Sequence, residues 1–173
     1  MKIISNNIHN QQLDKAMGKL GTQFIKSIKP SRSFHLQWED LPKNTKTLSL
    51  IFIDHDAIPV SGFTWIHWTV ANIDPSVKEL PENASIEQNL LEGVTSWNSP
   101  IIAKDRHLSR EDATGYGGCS PPDQPHLYMI KLYALDTVLN LERGFYLNEM
   151  LKAMEGHVLD KSRILAVYPN RCR

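Results

Sequence analysis

The six residues Leu48 to Ile53 form an almost unbroken apolar run that ends in two carboxylates, Asp54 and Asp56. A run of that length, closed by turn residues, reads as a buried strand. A second strand, Trp65 to Ile73, follows after a link holding Pro59, Ser61 and Gly62. So short a link favours antiparallel pairing, because a parallel crossover needs a dozen residues or more. If the first strand stays extended through Asp56, both acids leave one face of the sheet. The second strand carries His67 close to Trp65 and Trp68. Two acids and a histidine at the ends of adjacent apolar strands predict a polar site on a β scaffold.

The 173 residues are enough for one domain with a real core and too few for two ordinary ones, so residues 1–173 are read as a single domain. Nineteen basic and nineteen acidic residues cancel, which gives no basic footprint for nucleic acid. No apolar stretch reaches the length of a membrane span. Lys2 is followed by only two apolar residues before Ser5-Asn6-Asn7, which is not the pattern of an export signal. The expectation is a cytoplasmic protein with Cys119 and Cys172 as free thiols.

Further strands are expected at Lys2 to Ser5 on a sheet edge, at Phe34 to Trp38, at Leu127 to Leu135 and at Ile164 to Tyr168. One helix stands out, from about Phe145 to Glu155: Leu147, Met150, Leu151 and Met154 fall at i, i+3, i+4 and i+7, and Gly156 sits where a C-terminal cap belongs. Between residues 74 and 125, Pro75, Pro81, Pro100, Pro121, Pro122 and Pro125 break the chain into a long irregular segment of the kind usually functional. The chain therefore reads as mainly β with peripheral helix.

Several residues could carry chemistry. Asp54 and Asp56 are either a solvated turn or part of a polar site. His67 is either a hydrogen-bonded core histidine or, beside a carboxylate, a protonated anion donor. His126 and Tyr128, two apart at a strand start, share a face and could aim a ring N–H and a phenol O–H into one pocket. Gly115-Tyr116-Gly117-Gly118 could converge backbone N–H groups on an anion, although its spacing is neither a P-loop nor a dinucleotide fingerprint. There is no G-x-S-x-G, H-E-x-x-H or C-x-x-C. Cys119 with His126 is a weak match to a thiol nucleophile and its base, and Asp54, Asp56, His67 and His126 match no metal-ligand spacing.

Taken in order, these segments resemble the phosphatidylethanolamine-binding protein family, in its bacterial Raf kinase inhibitor-like branch. The matching stretches are SFHLQWEDLPKNTKTLSL from Ser33, the DHDA at Asp54, and Gly62-Phe63 followed by HWTVANI. The Gly-Gly and Pro-Pro loop with H-x-Y, LYALD, and LKAMEGHVLDKSRILAVY complete them. The resemblance implies a large antiparallel sheet packed on a smaller one with a few peripheral helices. It also implies a small pocket for phosphate, phosphoethanolamine or a carboxylate. Neither a cofactor nor a metal is expected. Carried over, the pocket holds Asp54, Asp56 and His67, a loop wall of Tyr116, Gly117, Gly118, Pro121 and Pro122, and His126 with Tyr128. The family's D-P-D-A-P reads Asp54 to Ala57 followed by Ile58-Pro59 here. The expected function is non-catalytic binding of a small anion. Inhibition of a kinase or protease partner and hydrolysis by the Asp and His residues are the alternatives, and a homodimer stays open.

Overall fold

The computed structural model describes residues 1–171. The expected thiol of Cys172 lies outside them, while Cys119 is free and buried. The strand Thr47–Asp54 is buried at all eight positions. Leu48, Leu50 and Phe52 point to one hydrophobic cluster and Ile51 and Ile53 to another. That explains the unbroken apolar run: the strand has no face in water, so nothing selects for alternation.

Thr47–Asp54 lies in the middle of a seven-stranded sheet, between Trp65–Ile73 and His126–Leu135. Both pairings are antiparallel, as is that of His126–Leu135 with Val158–Tyr168. Leu91–Glu92 closes one edge, and Gln12–Leu13 and Ile8–His9 close the other. Within the described residues of this sheet one pairing departs from the antiparallel expectation, since Gln12 pairs parallel with Val167. A three-stranded sheet of Lys2–Ile4, Leu36–Glu39 and Glu79–Leu80 supplies Ile3, Leu36, Trp38 and Leu80 to the cluster beneath the large sheet. Lys2–Ile4 is an edge strand there, as expected.

The opposite face of the large sheet is covered by the helix Leu147–Met154, whose Met150 and Met154 pack on Ile51, Ile53 and Ala71. It starts two residues later than the apolar pattern suggests, because the Phe145 carbonyl is already taken by the Val94 N–H at 2.8 Å. The Tyr146 N–H is closed off by the Glu149 carboxylate at 2.7 Å. Gly156 takes φ +79° just past the end, where other residues are strained. The last strand runs from Val158, six residues before its expected start. Its added part, through Asp160, Lys161 and Arg163, is largely exposed and held by ladder bonds, so no apolar pattern marks it.

The segment 74–125 is not structureless. It contains Glu79–Leu80 and Leu91–Glu92, the short helices Ala84–Glu87 and Arg110–Ala113, and a 3-10 turn at Ser96–Asn98. Each is too short to carry a period. Among the described residues, no helix is long and apolar enough to cross a membrane.

Adjacent residues on the third central strand give a test of the layering. Ile130 is wholly buried in the inter-sheet cluster, and Lys131 faces the other way. Ile130→Ala should cost about 2–5 kcal/mol in a denaturant melt, whereas Lys131→Ala should stay within about 0.5 kcal/mol.

Candidate functional site

At the end of the three central strands, register sets the site. Asp54 is the cross-strand partner of both Trp65 and Tyr128, and His126 is that of Tyr168. Asp54, His67, His126 and Tyr128 thereby line one cavity of about 600 Å3. Pro121 and Pro122 form part of its wall, and Trp65 and Trp97 form an aromatic side. Arg106 and Asp105 bring opposite charges to it.

Asp54 and His126 are both buried and joined Oδ2 to Nδ1 at 2.7 Å. The other Asp54 oxygen accepts the Ala57 N–H at 3.2 Å. The other ring nitrogen of His126, Nε2, meets Asp123 Oδ1 at 2.9 Å. A carboxylate only accepts, so an imidazole between two of them carries both protons. Burial alone would lower the His126 pKa, but the bonds to Asp54 and Asp123 outweigh it and the net displacement is upward.

His67 behaves in the opposite way. It is 2% exposed, and burial pushes its pKa down to about 4 in spite of the Asp54 charge. Its Nδ1–H donates to the Gly117 carbonyl at 2.6 Å. The expectation that a nearby carboxylate keeps His67 protonated is therefore overturned, since desolvation exceeds the Coulombic attraction.

Four further expected site residues are not in the cavity lining. Asp56 is exposed, because the strand ends at Asp54 and the chain turns there; its carboxylate accepts the Leu127 N–H at 2.8 Å. Tyr116 is a core residue whose hydroxyl donates to the Met17 carbonyl at 2.7 Å. The Gly117 and Gly118 N–H groups are spent on the carbonyls of His67 at 2.7 Å and Pro30 at 2.8 Å. These glycines permit close packing instead: a Cβ on Gly117 would lie 2.5 Å from the Trp97 ring, and one on Gly118 2.4 Å from the Met17 carbonyl. The expected pair of free histidine donors also fails, for both His126 ring nitrogens are engaged.

Among the described residues, two buried donors on the cavity-lining side chains are left over. The Tyr128 hydroxyl ends beside the Cys119 thiol and the Ser120 backbone without completing a hydrogen bond to either. The Trp65 indole N–H is likewise buried without a partner. Trp65 was legible, since it lies two residues before His67 and so shares its face. Trp97, Arg106 and Asp123 come from irregular chain and carry no such signal. Cys119 does not line the cavity, and burial drives its thiol pKa up. Among the described residues, no three His, Cys, Asp or Glu side chains gather as a metal site.

The two histidines should titrate apart. Proton-detected NMR is expected to place His126 above the ordinary imidazole value, and Asp123→Asn should lower it. His67 should stay neutral down to about pH 4. The raised His126 pKa stabilises the fold fully below the unfolded value of 6.5, a contribution lost as pH rises through the folded value. The lowered His67 pKa stabilises above 6.5, and that contribution is lost as pH falls toward about 4.

A family model described as phosphatidylethanolamine-binding protein matches residues 5–169. The uncharacterised protein YxkA of Bacillus subtilis is 46% identical over 138 residues, which span 78% of this chain and 80% of YxkA. A UPF0098 protein of Methanothermobacter thermautotrophicus is 37% identical over 134 residues, spanning 77% of this chain and 80% of its own. Among solved structures, a phosphatidylethanolamine-binding protein homologue of Chlamydia trachomatis gives a TM-score of 0.76 at 28% identity, covering 98% of this chain and 97% of that one. YbcL of E. coli, described as a member of the mammalian PEBP family, gives 0.75 at 25% identity and covers 98% of each.

Proposed function

We propose that this chain, which belongs to the phosphatidylethanolamine-binding protein family, binds a small anionic group in the cavity at the ends of its central strands and is not a catalyst. The observation that carries this reading is the pair of unsatisfied donors, Tyr128 Oη and Trp65 Nε1, on residues lining that cavity. Buried polar groups are normally paired, so two orphans in one lining point to a partner from outside. Both are donors, so the partner they call for is an acceptor such as a phosphate or carboxylate oxygen, and the charged His126 and Arg106 lining the same cavity favour an anion over a neutral group.

Catalysis by a nucleophile is disfavoured by the same geometry. In a Ser or Cys hydrolase, the histidine nitrogen opposite the aspartate meets the nucleophile. Here that nitrogen meets Asp123, a second carboxylate. The alternative reading, inhibition of a kinase or protease partner, would rest on the exposed Val60 and Ile101 in the cavity lining.

Calorimetric titration with acetate tests the reading, because acetate keeps one charge across the neutral range. Binding should be strongest while His126 is charged and should fade as pH rises through its raised pKa. His126→Ala should weaken it about tenfold or more, because it removes a positive charge and leaves Asp54 and Asp123 to repel the anion. His157→Ala should leave it unchanged: His157 is half-exposed, bonded to Asp136, and at the far end of the same sheet. Absence of binding at every pH, or turnover of esters or phosphoesters lost in His67→Ala, would replace the proposal.

A further inference from the structure

Granting the anion-binding reading, on which this step rests, we infer that the cavity prefers an anion that brings its own proton: it binds an oxyanion that still carries one O–H, such as a phosphomonoester monoanion, more tightly than one that carries none.

The argument turns on which nitrogen of His67 holds hydrogen. Nδ1 lies 2.6 Å from the Gly117 carbonyl, and the Gly117 N–H returns to the His67 carbonyl at 2.7 Å. This reciprocal pair fixes the ring and its tautomer together. A carbonyl cannot donate, so the neutral imidazole keeps its proton on Nδ1 and presents Nε2 as a bare lone pair. No described residue donates to that Nε2, and the ring lines the cavity.

The charged and titratable groups around His67 do not reverse this. Asp54 stands on the adjacent strand and His126 on the strand beyond it, and Tyr128 lies beside the ring at 5.2 Å between centroids. Cys119, buried behind the glycine turn, holds its proton. Asp105 and Arg106 line the same cavity with opposite charges. Burial pushes the His67 pKa down, Asp54 and the Gly117 and Gly118 backbone pull it up, and His126 pushes it down again; burial dominates and leaves it at about 4. At neutral pH the ring therefore accepts and does not donate.

The polar lining is thus mixed. His67 Nε2 and the Asp54 carboxylate accept, whereas Tyr128 and Trp65 donate. A dianion has only acceptors to offer and would set a charged oxygen against the Nε2 lone pair. A monoanion with one remaining O–H fits both halves, donating to Nε2 while its other oxygens accept from Tyr128 and Trp65. A site with a buried acceptor discriminates against an analogue lacking the matching hydrogen, because that acceptor is then left unpaired.

Methyl phosphate and methyl sulfate separate the proton from the charge. At pH 5 both are monoanions of the same shape. Methyl phosphate retains one O–H, its second proton leaving near pH ~6, and methyl sulfate has none. Calorimetric titration of the full chain at pH 5 should find methyl phosphate at least about tenfold tighter, the worth of one hydrogen bond. Above pH ~6 the ratio of the two affinities should fall about tenfold per pH unit, following the monoanion fraction. His126 bears on both esters alike, so the ratio is blind to its titration. His67→Phe, which removes the acceptor, should bring the ratio toward one, and the wild-type comparison stands even if that variant folds poorly. Equal affinity for the two esters at pH 5 would overturn this inference and leave the anion-binding reading intact. Failure of both esters and of acetate to bind would overturn both, as would tighter binding of methylammonium than of methyl phosphate.

Discussion

The 2.7 Å contact between Asp54 and His126 is the interaction on which both the sheet end and the cavity depend. Each partner alone would be a buried charge, and removing one partner of such a pair costs several kcal/mol because the other is stranded. Together they are closed off by the Ala57 N–H on one side and by Asp123 on the other. The bond ties the last residue of the central strand to the first residue of its neighbour. It also reaches the loop that carries Pro121 and Pro122, since Asp123 belongs to that loop, whose backbone is further held by Lys19 on the Pro121 carbonyl and Asn170 on the Asp123 carbonyl. A wall of the cavity is thus positioned by the same charge pair that finishes the fold.

Two imidazoles share this cavity and are driven in opposite directions by what they touch. Both are buried, so both lose hydration of the charged form. His126 recovers it from two carboxylates within 3 Å, whereas His67 has a neutral carbonyl as its direct partner. The Asp54 charge does act on His67, but at longer range it does not match desolvation. Proximity of an acid and a base in sequence or space is therefore a poor guide to protonation; the directly bonded partner decides. That is why reading His67 as a protonated donor fails while the same reasoning holds for His126.

What was legible in the sequence follows the same division. Thr47–Asp54, Trp65–Ile73 and His126–Leu135 were readable because apolar runs and period-two pairs are direct images of burial in a sheet. Asp54, His67, His126 and Tyr128 were readable as a group because they sit at the ends of those strands. Asp56 was misplaced because the strand ends two residues earlier than an extended continuation would have it, in a turn closed by Asp54 itself on the Ala57 N–H. Tyr116 and the two glycines were assigned to the cavity wall through resemblance, and their backbone donors are in fact consumed within the fold. Trp97, Arg106 and Asp123 arrive from irregular chain, where side-chain direction depends on tertiary contacts that leave no periodic trace.

Register explains why the legible part is also the part that defines the chemistry. On one rung the central strand sets Asp54 against Trp65 on one side and Tyr128 on the other. A slip of one residue in either pairing would turn these side chains to the opposite face, into the cluster built by Ile51, Ile53 and Met150. Such a slip would bury carboxylate and phenol among methyl groups and expose their apolar neighbours, so core packing and site assembly penalise the same error. Arg106, Pro121 and Pro122 are under no such constraint, since no ladder bonds fix their positions relative to the floor. Substitutions in that wall can therefore change the size or charge of the cavity without touching the register, while the positions of His67 and of the Asp54–His126 pair stay fixed by the sheet.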